Sequence, residues 1–309
     1  MYLNHFVTEQ FHRSAVCGDS EPCRAMKTTL SEVFHLKFDV AALWSLLADR
    51  GDEHFPHIRA RGFVRDHIGL FVQLTIAYIV VIFSIKRLMR DREPFELTGA
   101  LRLWNLFLSV FSIFGTIVMF PVMVDQIRNV GLYGAGCEAL TTLPSRAEYW
   151  LFLTVLSKAL EFVDTLFLVL RKKPLIFLHW YHHVATFLFF CVTYPTPSSQ
   201  IRVGAIVNLF VHAFMYPYYF IRSMNIKLPA RISMAVTVLQ LTQFVCFIYG
   251  CTMMYYSLAT NQYTCDTPMF ALNATFALSV SYFVLFANFF HKSYVQRGGK
   301  DKFRQKKTD

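Results

Sequence analysis

Leu175-Ile-Phe-Leu-His-Trp-Tyr-His-His-Val-Ala-Thr-Phe-Leu-Phe-Phe-Cys-Val-Thr-Tyr194 runs for twenty residues without an Asp, Glu, Lys or Arg. About 20 apolar residues in helical form cross the hydrocarbon core of a bilayer, so the stretch reads as a spanning helix. Yet it holds three histidines in five positions, His179, His182 and His183. Ionisable groups at membrane depth are expensive and mark functional sites by default. On a helix His179 falls angularly between the other two, so all three fit one face. One histidine there would read as a satisfied core residue, whereas three on one face require a shared site.

Six more segments of spanning length flank this one. The full set is Ile68–Ile85, Trp104–Val124, Tyr149–Leu170, Leu175–Tyr194, Val203–Ile221, Ile232–Leu258 and Met269–Phe290, here segments 1 to 7. The composition agrees: 55% of the 309 residues are hydrophobic and 16% charged, against about 25% charged in a soluble domain. The predicted fold is an all-α membrane protein with seven transmembrane helices. Residues 67–290 form one membrane domain, preceded by a polar region, 1–66, and followed by a basic tail, 291–309. In the first region Val33, Leu36, Val40, Leu43 and Leu47 fall at helical spacing and predict an interfacial helix. Met1–Arg13 lacks the continuous apolar core of a cleavable signal, so segment 1 is expected to direct insertion.

Loop charges orient the chain. Eighteen Lys and Arg lie in the 1–2, 3–4 and 5–6 loops and the tail, against Arg128, Arg146 and Arg202 in the opposing loops. Positive loops stay cytosolic, which predicts a lumenal N-terminus and a cytosolic C-terminus. The eight basic residues of the N-terminal region oppose this, but the rule weakens in a region longer than 60 residues. The net charge of +10 forms no basic stripe outside the membrane beyond the short tail, so nucleic acid is not an expected partner. Cys137 and Cys265 fall in lumenal loops, where a disulfide between them is expected. Cys191, Cys246 and Cys251 read as small apolar residues within spans. Asn273-Ala-Thr275 matches a glycosylation sequon but sits inside segment 7. Lys306 and Lys307, third and fourth from the end, match a di-lysine signal for retrieval to the endoplasmic reticulum.

Other segments carry polar faces. Segment 3 holds Lys158, Glu161, Asp164 and Thr165, and each ionised group costs roughly 2.5–3.5 kcal/mol at a helix centre. Lys158 and Glu161, at i and i+3, are spaced to pair. They form either a structural ion pair or the wall of a polar cavity. Segment 5 places Asn208, His212, Met215, Tyr216 and Tyr219 on one face, with Pro217 expected to kink the helix. Segment 6 holds Thr237, Gln240, Thr242 and Gln243, suited to interhelical hydrogen bonds or to a site. The cytosolic basic residues Arg171, Lys172, Lys173, Arg222 and Lys227 either set topology or hold phosphates.

A di-iron desaturase or hydroxylase needs about eight histidines in several boxes. Only four of the eleven here, His179, His182, His183 and His212, lie within spans. Without a metal, imidazoles suit nucleophilic and acid–base chemistry on thioesters, and the lysine–acid pair and amides suit oxyanion stabilisation. A seven-helix receptor or transporter is the other alternative, and it does not account for three histidines on one helix face.

Four motifs in order carry a family resemblance. Lys158-Ala-Leu-Glu161-Phe-Val-Asp164-Thr165 matches KxxExxDT. His179-Trp-Tyr-His182-His183 matches HxxHH. Asn208 to Tyr219, Asn-Leu-Phe-Val-His-Ala-Phe-Met-Tyr-Pro-Tyr-Tyr, matches NxxxHxxMYxYY. Thr237-Val-Leu-Gln240-Leu-Thr-Gln243 matches TxxQxxQ. The chain resembles the ELO family of very-long-chain fatty acid elongases from about Ile68 to Asp309.

The resemblance implies a 3-oxoacyl-CoA synthase: condensation of a long-chain acyl-CoA with malonyl-CoA, releasing CO2 and CoA, with neither metal nor cofactor. It implies that helices 2–7 form a barrel around a narrow acyl tunnel, and a setting in the endoplasmic reticulum membrane. The expected mechanism is ping-pong through an acyl-imidazole on His182, with His212 facing it and His179 and His183 positioning and moving protons. Lys158, Glu161, Asp164, Asn208, Gln240 and Gln243 would form the polar surround. Arg171, Lys172, Lys173, Arg222, Lys227, Tyr216 and Tyr219 would bind substrate and CoA. Trp180-Tyr181 inside the box is similar to the subgroup acting on saturated, monounsaturated or branched chains of about C16. Membrane lipid, a homodimer and the 3-oxoacyl-CoA reductase, dehydratase and enoyl reductase of the cycle are the expected partners.

Overall fold

The computed structural model describes residues 38–49, 54–137, 143–196, 198–260 and 267–296. The di-lysine pair, Cys265, Val33 and Leu36 lie outside the described residues. Ten α-helices follow in order among the described residues: α1 (Val40–Ala48), α2 (His57–Asp66), α3 (Ile68–Leu88), α4 (Thr98–Cys137), α5 (Ser145–Leu160), α6 (Phe162–Leu170), α7 (Phe177–Thr193), α8 (Ser199–Ser223), α9 (Ala230–Thr260) and α10 (Met269–Phe290). A π-helical turn, His291–Val295, continues α10.

Five helical stretches, α3, α4, α8, α9 and α10 with its π turn, are long and apolar enough to cross a membrane by length and composition. The other two sequence segments fall short for visible reasons. Segment 3 divides at Glu161, whose ψ of −15° closes α5 and opens α6. That value is nearer a 3₁₀ turn than an α-helix, and a 3₁₀ interruption within a helix often marks a functional hinge. Segment 4 becomes α7, seventeen residues long, because Ile176 before it is extended and Pro174 lies just upstream.

Segment 2 grows instead. α4 spans forty residues, with backbone hydrogen bonding continuing past the apolar run, but Gly131 breaks it with φ 74° and ψ 172°. Only glycine occupies that region readily, so α4 is two helices meeting at Gly131. Pro217, where a kink is expected, lies inside a helix that continues to Ser223.

Each helix packs against defined neighbours. α8 lies along α4 in the most extensive contact, α4 meets α5, α5 meets α7, α7 meets α10, α10 meets α9, and α9 returns to α8. α3 makes its principal contacts with α6, α7 and α2, outside that circuit. Close approach of α4 to α8 and α5 depends on Gly115, where a β-carbon would lie 3.0 Å from Leu209 and 3.1 Å from Trp150. A continuous core joins Phe71 and Tyr78 of α3, Leu151, Phe152 and Val155 of α5, Phe187 and Phe190 of α7 and Ile206 and Leu209 of α8.

The N-terminal helices cover one end of this bundle. Arg61 of α2 donates to Glu148 at 3.1 Å, Tyr149 donates to the Leu47 carbonyl at 3.0 Å, and Asp39 caps α1 through Ala42 N–H at 2.8 Å. Of the residues expected on one apolar face, Val40 is exposed, whereas Leu43 and Leu47 pack against the core; Trp44 of α1 and Ile58 of α2 are also exposed. At the same end Arg202 is fully buried and donates to the Ala135 carbonyl at 2.7 Å. Cys137 is disulfide-bonded, while Cys191, Cys246 and Cys251 are free; the expected partner of Cys137 is among the residues not described.

Candidate active site

The break at Glu161 gathers the polar groups. Lys158, on the last turn of α5, donates from Nζ to Glu161 Oε1 and to Asn208 Oδ1, both at 2.6 Å. The Lys158 and Glu161 side chains are 2% and 4% exposed. Two charges so buried persist only when paired and hydrogen-bonded, and the i, i+3 spacing supplies the pairing. Asn208, on α8, spends both ends of its amide: Oδ1 accepts from Lys158, and Nδ2 lies 3.3 Å from His212 Nε2. His212 Nδ1 is 3.7 Å from Glu161 Oε1. The set is self-consistent when His212 carries its proton on Nδ1 and accepts at Nε2. Lys158 Nζ also sits 5.6 Å from the Phe190 ring centroid.

Asp164 belongs to a second group. Trp104 Nε1 donates to its Oδ1 at 2.6 Å and Tyr216 OH to its Oδ2 at 3.1 Å, so one carboxyl ties α4, α6 and α8 together. Tyr216, expected at the substrate, is committed to Asp164 and fully buried, while Tyr219 is exposed.

The three histidines of α7 share a face, as the spacing predicts. His179 and His183 meet edge to face at 4.6 Å between centroids, and His182 and His183 at 5.6 Å. His179 Nε2 lies 2.9 Å from Thr165 Oγ1, which in turn meets Tyr78 OH at 2.7 Å. His183 is buried, and its Nδ1 has no hydrogen-bond partner among the described residues. His182 packs against the Tyr282 ring at 5.0 Å, and Tyr282 OH is fixed by Thr186 at 2.9 Å.

A narrow cavity of about 60 Å³ opens beside His182, lined also by Asn208, Gln243, Phe190, Tyr282 and Gln200. Of the sequence-selected groups, His182, Asn208 and Gln243 therefore share one space. Gln243 Oε1 is buried there without a hydrogen-bond partner among the described residues. His212 does not line the cavity; it stands behind Asn208, joined to it and to Glu161. Gln240 lies apart, its amide directed to Met215 Sδ at 3.1 Å. Among the described residues no group of three or more His, Cys, Asp or Glu is arranged as metal ligands.

The five basic rim residues separate. Lys172 and Lys173 line a different pocket, with Lys86, Arg87 and Arg90, whereas Arg222 follows Tyr219 on α8 and reaches the Ile226 carbonyl at 3.4 Å. Arg171 and Lys227 line neither space. Sequence reasoning did not select Trp104, Tyr78 or Tyr282. Tyr282 is the most legible of them, because it closes a polar run, Ser279, Ser281 and Tyr282, within segment 7. Trp104 and Tyr78 carry no such signal, since each is an aromatic at the start or within the body of an apolar run.

A family model described as "ELO: GNS1/SUR4 family" matches residues 63–302. The chain is 39% identical over 280 residues to "Long chain fatty acid elongase 1" of Caenorhabditis elegans, covering 91% of this chain and 97% of that protein. It is 36% identical over 258 residues to "Very long chain fatty acid elongase 6" of Drosophila melanogaster, covering 80% and 79%. It is 35% identical over 241 residues to "Very long chain fatty acid elongase 3" of Mus musculus, covering 78% and 88%.

Proposed function

The chain belongs to the ELO (GNS1/SUR4) family, and on that premise we propose that it is the condensing enzyme of microsomal fatty acid elongation. It joins a long-chain acyl-CoA to malonyl-CoA and yields 3-oxoacyl-CoA, CO2 and CoA. The observation that carries this reading is the apolar-walled cavity in which His182 meets the two amides Asn208 and Gln243. The acyl chain is saturated, monounsaturated or branched and of about C16.

In the first half-reaction, a ring nitrogen of His182 attacks the thioester carbonyl. The carbon–sulfur bond breaks, and CoA leaves with a proton. The resulting acyl-imidazole stays reactive beside the Phe190 and Tyr282 rings that line the space. In the second, malonyl-CoA loses CO2, and the carbanion left on its α-carbon attacks the acyl carbon. The carbon–nitrogen bond breaks, and the departing imidazolate takes up a proton from solvent, relayed by His179 and His183, which regenerates the neutral imidazole. Asn208, through the Nδ2 hydrogen not taken by His212, and Gln243, through its amide nitrogen, donate to the oxygen that becomes negative in each step, where aimed donors contribute most. Lys158, Glu161 and His212 hold Asn208 in orientation. His179 and His183 orient His182 and move protons, Asp164 fixes the surrounding helices, and Gln240 supports the face of α9. Tyr219, Arg171, Arg222 and Lys227 meet the CoA portion. No metal takes part.

Seven spans cross the membrane of the endoplasmic reticulum, with segments 2–7 forming a barrel around the acyl tunnel; the closed circuit of contacts from α4 to α10 supports this arrangement. The N-terminal region, 1–66, lies in the lumen and the tail, 291–309, in the cytosol, where Lys306 and Lys307 act as the retrieval signal. Cys137 pairs with Cys265. A bonded Cys137 at the end covered by α1 and α2 accords with an oxidising lumen. Homodimerisation and contact with the reductase, dehydratase and enoyl reductase complete the reading.

Purified protein incubated with a C16 acyl-CoA and labelled malonyl-CoA tests it. The expected result is labelled 3-oxoacyl-CoA that requires both substrates. Absence of product across a range of acyl chains overturns it.

A further inference from the structure

A second pocket, of about 710 Å³, lies between the end of α3 and the turn joining α6 to α7. Lys86, Arg87, Arg90, Lys172 and Lys173 bring five cations to it, and Phe83, Met89 and Leu175 give it an apolar wall. Among the described residues no carboxylate lines it. It shares no lining residue with the cavity at His182.

We propose that this pocket binds the phosphate headgroup of an anionic membrane phospholipid. Three observations carry the assignment. First, the pocket is built: Lys172 Nζ donates to the carbonyls of Arg90 and Arg92, both at 3.0 Å, and Phe95 N–H donates to the Leu170 carbonyl at 3.1 Å. These bonds clamp the α3–α4 loop onto the α6–α7 turn. Lys172 holds a left-handed φ of 51°, a conformation that a lysine keeps only where its surroundings enforce it.

Second, the charge is one-sided. Clusters of Lys and Arg beside a spanning helix attract anionic headgroups, each cation adding to the affinity near the surface.

Third, a path for acyl chains leads to the pocket. Val72, Ile76, Val80 and Phe83 are exposed along α3, and at helical spacing they form one stripe with Arg87. From Val72 to Phe83 the stripe rises roughly 16 Å along the helix, about half the thickness of a hydrocarbon core. α3 makes its principal contacts with α2, α6 and α7, and the exposed stripe is left open to the acyl chains of a lipid. A soluble phosphate ester such as CoA matches the cations but leaves the stripe unused; a phospholipid matches both.

The experiment uses the full chain in phosphatidylcholine vesicles doped with a photoreactive phosphatidylserine, against photoreactive phosphatidylcholine alone, with cross-linked peptides mapped by mass spectrometry. Phosphatidylserine labels residues 80–92 and 169–175 in preference to the rest of the chain. That labelling persists in excess CoA and falls about tenfold or more in the Lys86→Gln, Arg90→Gln double variant, which keeps its condensation activity. Three results overturn the proposal: equal labelling by both lipids, displacement by CoA, which would assign the pocket to the soluble substrate, or undiminished labelling in the folded variant. The first two arms use the unaltered protein, so the proposal is decided even if the variant fails to fold. Cross-linking does not depend on turnover, so failure of the elongase reading remains a separate outcome.

Discussion

At the residue scale, the central unit is Lys158–Glu161–Asn208–His212. Each member is hydrogen-bonded or ion-paired within the unit, so removal of one leaves its neighbour buried and unmatched. Removing one partner of a buried ion pair costs about 3–5 kcal/mol. Glu161→Gln is therefore expected to lower the unfolding free energy in detergent by an amount of that order and to abolish condensation. The Lys158→Met, Glu161→Gln double variant separates the two roles left open by the sequence: stability partly returns because no lone ammonium remains, while activity does not, because Asn208 has lost its anchor. Recovery of both in the double variant would make the pair structural only. Tyr282→Phe removes the hydroxyl fixed by Thr186 and keeps the ring against His182. It should cost about 1 kcal/mol of stability and lower kcat more than it raises KM, read from thermal unfolding and steady-state rates. The i, i+3 pair and the three-histidine face were legible because both are spacings within one helix. The Trp104–Asp164 and Tyr282–His182 contacts were not, because they join residues sixty and a hundred positions apart, and only the packing of helices brings them together.

At the scale of elements, all seven apolar segments exist as helix, and their boundaries differ where backbone conformation overrides hydropathy. An apolar run shows neither the turn at Glu161 nor the extension of α4 to Gly131. Both follow from hydrogen-bonding and dihedral preferences that hydropathy does not encode. Gly131 holds a glycine-only conformation, so Gly131→Ala is expected to cost about 1–3 kcal/mol. Gly115 is tight for a different reason: a side chain there meets Leu209 and Trp150. Gly115→Leu should destabilise by overpacking, about 1–3 kcal/mol, and push α4 away from α8. Unfolding in detergent checks both, and a Gly115→Leu protein as stable as the parent would contradict the close approach of α4 to α8.

At the scale of the whole molecule, the cavity at His182 is lined by α7, α8, α9 and α10, helices from distant parts of the chain, while α3 packs mainly on α2, α6 and α7. Peptide mapping without reduction should find Cys137 joined to Cys265 and Cys191, Cys246 and Cys251 alkylatable; an alkylated Cys265 would refute the pairing and weaken the assignment of that end to the lumen. In the proposed mechanism this cavity holds an acyl group on His182 between two half-reactions. Intact-mass measurement of the purified protein, after incubation with a C16 acyl-CoA and no malonyl-CoA, tests that most directly. The expected result is a mass increase equal to one acyl group, discharged when malonyl-CoA is added and absent in a folded His182→Ala variant. An adduct that persists undiminished in His182→Ala would contradict it.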